Sequence, residues 1–443
     1  MDFIPHTQDE TKEMLKTSGA SSLEDLFSHI PNEVRINKLN LLSGKSELEV
    51  VGELSLLSQK NKTGFNSFVG GGFYDHFIPQ VINELAGRGE FYTPYTPYQA
   101  EASQGTLQTI FEFQSLISRL TGMEVANASL YDGGTAVYEA VMMAGRVNRK
   151  NKVIIDGNLN PFYKKMLRTH LMHTSLDLIE LPVSFDRLDR RKLKSLLDDE
   201  VSSVVLQNPN FFGNIDDFSD ISKEVHSIGA LVIACVYPVS LGILKDPGDM
   251  QVDIAVGEGQ SLGLPLGFGG PYFGFMATSK SLVRNMPGRL VGMAQDASGR
   301  RGFVLTLQTR EQHIRRERAT SNICTNEALC ALRACIYLSV MGKEGLGDVA
   351  DICARKTEYA KKRLSSIKGI EILNKGAVFN EFVIGLPKSA EDIFVKLLDK
   401  GILAGIPLVR WFKDMDKNLL LSFTEKTTRQ EIDELVDALE EAL

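Results

Sequence analysis

Cysteine is scarce in this chain of 443 residues, and its spacing matches neither a disulfide framework nor a metal site. The five cysteines form no Cys-x-x-Cys pair and lie at Cys235, Cys324, Cys330, Cys335 and Cys353. Thiols of this kind are typical of proteins in a reducing compartment, where most of them are buried. We therefore expect reduced cysteines, no structural disulfide and no bound metal.

Long apolar runs and an excess of positive charge are also missing. No run approaches the ~20 apolar residues that a membrane-spanning helix needs. Acidic residues outnumber basic ones by 56 to 49, and the net charge is −7. Such a charge gives no general attraction to nucleic acid or to anionic membranes. The polar, acidic opening of the chain does not resemble a signal peptide. We expect a cytoplasmic protein that binds neither nucleic acid nor membrane.

Short β-rich runs alternate with helical patterns through the middle of the chain. The runs include KVIID (152–156), VSSVVLQ (201–207), ALVIAC (230–235) and DIAV (253–256), with helical patterns such as DRRKLKSLL between them. This alternation is typical of an α/β fold with a mostly parallel, doubly wound sheet and helices on both faces. Ligands of such folds bind beyond the carboxyl ends of the strands.

Three segments are expected from changes in sequence texture. Residues 1–62 contain short amphipathic patches and form an N-terminal extension that packs on the main domain or on a partner subunit. Residues 63–344 form the large α/β domain. Residues 345–443 form a small α+β domain, whose last helix begins with a capping box from Thr428 to Glu431.

A loop rich in tyrosine and proline precedes the first long helix. Tyr92, Tyr95 and Tyr98 recur at every third residue, with Pro94 and Pro97 between them. Prolines at this density exclude a helix interior or a central strand and favour a rigid, irregular loop. The loop either covers hydrophobic surface or lines a ligand site, in which case a subunit interface is the expected place.

Two glycine-rich passages are candidate ligand sites. Gly133 and Gly134 precede a helical run, and this turn either simply starts the helix or binds an anion at its N-terminus. The stretch from Asp253 to Gly274 predicts a buried strand end, a polar turn and a loop containing Gly269 and Gly270. Glycines allow the backbone to approach a ring or a phosphate closely.

Four stretches together resemble one enzyme family. They are YTPYQAEASQGTLQ (95–108), GEGQSLGLPLGFGGPYFGF (257–275), FVLTLQTREQHIRRERATSNICTNEAL (303–329) and the opening IPHTQDETKEML (4–15). Across essentially the whole chain, the sequence resembles the glycine decarboxylase P-protein, and more narrowly its N-terminal half, which some bacteria encode as a separate first subunit. The resemblance implies a pyridoxal-phosphate (PLP)-dependent transferase fold of type I. It also implies a role in the glycine cleavage system, in which glycine is decarboxylated and its aminomethyl group passes to the lipoyl arm of H-protein.

The same resemblance implies that this chain has lost its own cofactor. Gln260 stands at the position of the lysine that forms a Schiff base with PLP, and a carboxamide nitrogen cannot form that imine because its lone pair is delocalised. Cys235 stands at the position of the aspartate that pairs with the ring nitrogen, and Val137 at that of the histidine that stacks on the ring. We expect a vestigial site at these residues and at Gly269 and Gly270.

A PLP-bearing partner subunit is implied instead, because active sites of this fold type lie at a dimer interface. The residues expected to complete the partner's site are Tyr95, Tyr98, Gln99, Thr320, Ser321, Asn322 and Thr325. Tyrosine or glutamine would bind the glycine carboxylate, and the hydroxyl cluster would contact the cofactor phosphate.

Three alternatives stay open at this stage. The hydroxyls of residues 320–325 could merely cap a helix that starts at Thr325. The whole chain could be a scaffold or regulatory subunit that stabilises the partner or docks H-protein. It could also be a self-sufficient PLP enzyme that uses another lysine, of which Lys280 is the nearest.

Overall fold

A computed structural model describes residues 6–36, 39–91 and 95–443, and it forms two compact units, Met1–Thr63 and Gly64–Leu443. Among its described residues, the smaller unit contains two α-helices, Gln8–Thr17 (α1) and Glu47–Ser58 (α2). Each of them begins with a capping box, formed by Thr7 with Glu10 and by Ser46 with Glu49. These reciprocal bonds satisfy backbone amides that the first turn of a helix leaves free.

The larger unit contains ten helices and fifteen strands among the described residues. The helices are α3 (Gln80–Ala86), α4 (Gln104–Thr121), α5 (Gly133–Asn148), α6 (Pro161–Leu171), α7 (Arg190–Lys194), α8 (Ser219–Ser227), α9 (Gln312–Arg315), α10 (Ala328–Leu364), α11 (Ala390–Asp399) and α12 (Arg429–Ala442). The first eight strands are β1 (Asn66–Ser67), β2 (Val125–Ala126), β3 (Lys152–Ile155), β4 (Asp177–Glu180), β5 (Val201–Asn208), β6 (Leu231–Val236), β7 (Ile254–Glu258) and β8 (Gly274–Thr278). The others are β9 (Leu290–Gln295), β10 (Arg301–Thr306), β11 (Glu371–Ile372), β12 (Glu381–Gly385), β13 (Ile402–Leu403), β14 (Ile406–Pro407) and β15 (Asn418–Ser422). None of the described helices is long and apolar enough to cross a membrane.

A seven-stranded sheet forms the centre of this unit, in the order β2-β8-β7-β6-β5-β3-β4. The strands from β4 to β7 pair in parallel, whereas β8 is antiparallel to both of its neighbours. The sheet is therefore mostly parallel, as the alternating pattern predicts.

Helices cover both faces of this sheet, so its central strands are buried on both sides. Side chains alternate between the two faces. Ile154, Val204 and Val232 belong to one core, with residues of α4, α8 and α10. Their sequence neighbours, such as Val205 and Ile233, belong to the other core, with residues of α5 and α6.

The C-terminal part forms a four-stranded antiparallel sheet, in the order β11-β12-β15-β14, against which α11 and α12 pack. The predicted capping box at Thr428 and Glu431 is present at the start of α12. Helix α10 runs from Ala328 to Leu364 with one non-helical residue, Gly342. The expected boundary between residues 344 and 345 falls inside this helix. The threefold division of the chain remains a prediction.

The segment 289–329 contains a hairpin that the sequence did not predict, in which strands β9 and β10 pair in antiparallel. After the hairpin, Arg310 donates to the backbone carbonyls of Met286, Gly288 and Leu307, so its guanidinium stabilises a loop of the protein itself.

Candidate functional site

Gln260 lies two residues after β7 and is almost fully buried. Its Nε2 donates to the carbonyl oxygens of Tyr74, at 3.1 Å, and of Leu264, at 2.9 Å. Its Oε1 accepts from the backbone N–H of Tyr74 at 3.0 Å. The carboxamide thus links the segment before α3 to the turn after β7. It serves as a structural cross-link, and its donors and its acceptor are engaged within the protein.

Glu258, at the end of β7, places a carboxyl group at the N-terminus of α5. Its Oε2 accepts from the backbone N–H of Gly133 at 2.9 Å, and its Oε1 accepts from that of Gln260 at 3.0 Å. The Asp132 side chain caps the same helix by accepting from the Thr135 N–H at 2.7 Å. Burial raises the pKa of Glu258 to about 8. The anion position of this helix is therefore filled by the protein's own side chain.

Cys235 and Val137, the two other positions predicted to be vestigial, lie in the core. Cys235 is buried near the end of β6, and burial raises the pKa of its thiol, with a smaller contribution from Glu258. A neutral thiol cannot serve as the carboxylate that keeps a pyridine nitrogen protonated. Val137 is fully buried in α5 and is not among the described residues that line the neighbouring cavity.

A cavity of about 950 Å³ opens beside Glu258. Its polar wall includes Asp132, Gly134, Glu258 and Ser422, and its apolar wall includes several aromatic rings. Gly269 lines it too. The backbone φ of Gly269 is +108° and that of Gly270 is +138°, a region that side chains rarely allow. Gly269 thus lies at the cavity, and the assignment of Gly269 and Gly270 as vestigial cofactor positions stays a prediction.

PLP does not fit this cavity as a resident cofactor. Lysine is absent at position 260, an acidic group occupies the helix N-terminus where a phosphate would bind, and Cys235 supplies no carboxylate. Lys426 does line the cavity, but its ammonium is paired with Asp75 at 2.5 Å. The side chain of Lys280 is 77% exposed, and its Nζ lies 3.8 Å from Oε1 of Glu124. Lys280 is not among the described residues that line the cavity. The structure therefore gives no support to the self-sufficient alternative.

A second cluster forms around Arg289, which is only 2% exposed. Its Nη1 donates to Oγ1 of Thr325 at 2.6 Å, and its Nη2 donates to the carbonyl of Cys324 at 2.7 Å and to the Tyr98 hydroxyl at 3.3 Å. The guanidinium also lies 5.7 Å from the centre of the Tyr98 ring. Glu311 balances the charge, 3.6 Å from Nε. One buried arginine thus joins the tyrosine-proline loop to the segment ATSNICT.

The predicted partner-facing residues are open to solvent to different degrees. Tyr95 is 82% exposed and Tyr98 is 53% exposed, and Gln99 and Asn322 are exposed as well. The hydroxyl-bearing residues Thr320, Ser321 and Thr325 are half-buried. The structure brings Tyr98 and Thr325 to the same guanidinium, but gives no contact that joins Tyr95 or Gln99 to the segment from Thr320 to Asn322. Tyr92 and Pro94 lie outside the described residues.

The capping alternative for these hydroxyls is wrong. Helix α10 begins at Ala328, and Glu327 at its N-cap makes no side-chain capping bond. The Ser321 hydroxyl instead accepts from the Ile323 N–H at 3.0 Å in a local turn. Sequence reasoning also missed Arg289, because a lone arginine before a strand carries no motif that points to its role.

Among the described residues, three side chains that could bind a metal ion lie close together, namely His76, Cys353 and Glu425. Their polar atoms are already engaged in contacts with one another and with Tyr237. His76 Nδ1 lies 2.6 Å from Glu425, its Nε2 contacts the Tyr237 hydroxyl, and Cys353 Sγ lies 3.6 Å from Glu425. The contacts join the segment before α3 to α10 and to the loop after β15, which is a structural role.

Comparison with known structures first defines the class. The fold is that of PLP-dependent enzymes of type I, shared for example with a glutamate decarboxylase of Lactobacillus brevis, which is 13% identical with a TM-score of 0.68 over 93% of this chain and 95% of that one. At that identity the likeness shows the fold alone.

The family follows from closer matches. The chain belongs to the family described as glycine cleavage system P-protein, whose model matches residues 1–439. It is 53% identical to a probable glycine dehydrogenase (decarboxylating) subunit 1 of Geotalea uraniireducens, over 100% of both chains. It is also 43% identical to a glycine decarboxylase (P-protein) of the glycine cleavage system, crystallised in inhibitor-bound form, with a TM-score of 0.91 over 100% of both chains. The resemblance, fold class and family predicted from the sequence are confirmed.

Proposed function

We propose that this chain is the glycine decarboxylase subunit that carries no PLP, and that it completes the active site of a PLP-bearing second subunit. The pair acts on glycine, releases CO2 and passes the aminomethyl group to the lipoyl group of H-protein. The partner's cofactor supplies the electron sink that decarboxylation needs. A cytoplasmic location accords with five unpaired cysteines, four of which are buried.

The main support for this proposal is the set of hydrogen bonds that the Gln260 side chain makes within the protein. Its carboxamide is fully engaged in a buried network at the position of the cofactor lysine. The neighbouring Glu258 occupies the helix N-terminus. A chain of this family without a competent cofactor site retains a role in catalysis only through a partner, and its relatives are named subunit 1.

The exposed side of the Arg289 cluster is the surface that we assign to the partner's site. Tyr95 presents a phenol that is 82% exposed, three residues before Tyr98, whose ring is held by Arg289. A phenol can donate to the glycine carboxylate. The half-buried hydroxyls of Thr320, Ser321 and Thr325 and the exposed side chains of Asn322 and Gln99 offer donors for a phosphate.

Tyr95→Phe tests this assignment, because the exposed hydroxyl contributes little to the stability of the chain itself. The chain is mixed with its PLP-bearing partner, and exchange of labelled bicarbonate into glycine is measured with assembly followed by size-exclusion chromatography. We expect exchange to fall about tenfold or more, with assembly unchanged, if the phenol binds the substrate carboxylate.

Tyr359→Phe is the matched control, since Tyr359 lies in the C-terminal half of α10, where it bonds to Asp433 and Arg363. Its exchange rate should stay near that of the wild type. Unchanged exchange in Tyr95→Phe, with the complex intact, would remove Tyr95 from the shared site. The same result for Tyr98→Phe and Thr325→Val would favour a scaffold role for the whole chain.

A further inference from the structure

Acidic and aromatic residues together make up nearly half of the lining of the cavity beside Glu258. Among the described lining residues there are four carboxyl groups and a single lysine. Two of the carboxyls have partners, since Asp75 pairs with Lys426 and Glu431 caps α12. Asp132 and Glu258 stand together at the N-terminal end of α5. The polar end of the cavity is thus suited to positive charge.

Aromatic rings supply much of the apolar lining of the cavity. The rings belong to Phe65, Phe68, Phe73, Phe162, Tyr163, Phe268 and Tyr272. Those of Phe73 and Tyr272 stack on each other with their centroids 4.9 Å apart. Aromatic faces attract organic cations and exclude anions. A flat apolar body carrying a cation therefore matches both walls.

One residue of the cavity lining, Ser422, carries a buried hydroxyl without a hydrogen-bond partner among the described residues. Ser422 is 3% exposed. Buried polar atoms are nearly always bonded, so an unbonded one marks a place where a ligand or a water completes the site.

We propose that this cavity binds a small organic cation, namely a protonated primary amine on a flat apolar body, with its ammonium group at Asp132 and Glu258. The three N–H donors of an ammonium suit two carboxyl groups that otherwise meet only backbone amides. A phosphate or carboxylate is excluded because the protein's own Glu258 already occupies the amide of Gly133. This inference goes beyond the proposed function and does not depend on it.

Binding of a cation should also release a proton. Burial raises the pKa of Glu258 to about 8, with nearby Asp132 adding to the rise, while the N–H groups of Gly133 and Gln260 oppose it. Tyr163, Cys235 and Tyr272 also lie near enough to interact with its charge. An ammonium favours the ionised carboxylate, so its affinity should increase as pH rises toward 8.5.

A matched series of ligands tests the proposal by isothermal titration calorimetry on the full chain. Phenethylamine, phenethyl alcohol and hydrocinnamate share an aromatic body and differ in charge. We expect the amine to bind at least about tenfold more tightly than the alcohol, and the acid to bind most weakly. Equal binding of all three, preference for the acid, or no amine binding would overturn the proposal.

Two variants locate the ammonium. Asp132→Asn keeps the helix cap, because asparagine caps as well as aspartate, and Glu258→Gln removes the other charge. In each variant, we expect the ratio of the affinity for the amine to the affinity for the alcohol to fall about threefold or more, since one of the two carboxyl groups is lost. Glu391→Gln, in α11 and paired with Arg410, is the control that should leave it unchanged. If both variants keep the full preference for the amine, the ammonium group does not bind at Asp132 and Glu258. Thermal melting shows whether each variant is folded.

The same titration on the chain assembled with its partner extends the test to the working enzyme. The ranking of the three ligands should persist there. Loss of amine binding on assembly would overturn a role for this site in the complex. Bicarbonate exchange is not part of the measurement, so failure here and failure of the proposed function are separate outcomes.

Discussion

At the scale of single residues, Gln260 and Glu258 decide what this cavity cannot hold. The glutamine bonds to the backbone on both sides, and the glutamate bonds to the first turn of α5. Both groups are buried and belong to one network, since the N–H of Gln260 donates to Glu258. Restoring a lysine alone therefore would not restore a cofactor site.

Gln260→Lys should accordingly fail to give a PLP adduct that borohydride can reduce. It should also lower the free energy of unfolding by about 1–3 kcal/mol, because the buried Tyr74 N–H loses its acceptor. Absorbance with PLP and urea denaturation are the measurements. Gln430→Lys, on the exposed face of α12, is the control and should leave stability nearly unchanged. A reducible adduct at position 260 would show that the remaining site is still competent.

Glu258 should also make stability depend on pH. Its pKa rises from 4.5 to about 8 on folding, so the folded protein holds the proton more tightly than the unfolded chain. The stabilisation is complete below pH 4.5 and is lost as pH rises through 8. Between these values the slope from this group is at most about 1.4 kcal/mol per pH unit.

Urea denaturation from pH 5 to pH 9 measures this slope in the wild type and in Glu258→Gln. The variant should lose stability less steeply as pH rises. Part of the dependence should remain, because burial also raises the pKa of Glu381 to about 7. Identical slopes in the two proteins would show that Glu258 titrates normally.

At the scale of elements, the Arg289 cluster fixes one loop against another. The tyrosine-proline loop and the segment before α10 are irregular, and both bond to the same buried guanidinium. Arginine suits this place because its planar fork offers several donors at once, whereas lysine offers a single nitrogen. The position of Tyr98 relative to Thr325 thus depends on one side chain.

Arg289→Lys should lower kcat/KM for glycine in the assembled enzyme about tenfold or more, because the charge-assisted bonds that hold both loops are worth about 1.5–3 kcal/mol. Bicarbonate exchange at varied glycine concentration measures this effect. Arg300→Lys is the control from the exposed tip of the same hairpin, where the arginine pairs only with Asp296. Equal activity of Arg289→Lys and wild type, with the complex formed, would contradict the role given to Arg289.

At the scale of the whole molecule, the sequence predicts the sheet better than the site. Short β-rich runs, helical spacing and the Thr-to-Glu capping pattern are local signals, so the strands from Lys152 to Thr278 and the capping box at Thr428 can be predicted from the sequence. The antiparallel direction of β8 and the hairpin of β9 with β10 depend on tertiary pairing.

The site is less predictable than the sheet because its contacts also depend on tertiary structure. Gln260 is visible in the sequence because the expected residue type is missing there. The carboxyl of Glu258 at Gly133 and the guanidinium of Arg289 at Tyr98 each join segments more than a hundred residues apart. Local patterns carry no information about such contacts, so these two residues emerge only from the structure.

We propose that this chain completes an active site without holding the cofactor. Borohydride reduction of the assembled enzyme with PLP, followed by peptide mass spectrometry of both subunits, shows which subunit holds PLP. We predict the pyridoxyl group on a lysine of the partner alone, with every lysine of this chain unmodified and exchange activity absent until both subunits are mixed. A stoichiometric pyridoxyl adduct on a lysine of this chain, Lys426 or Lys280 included, would contradict it.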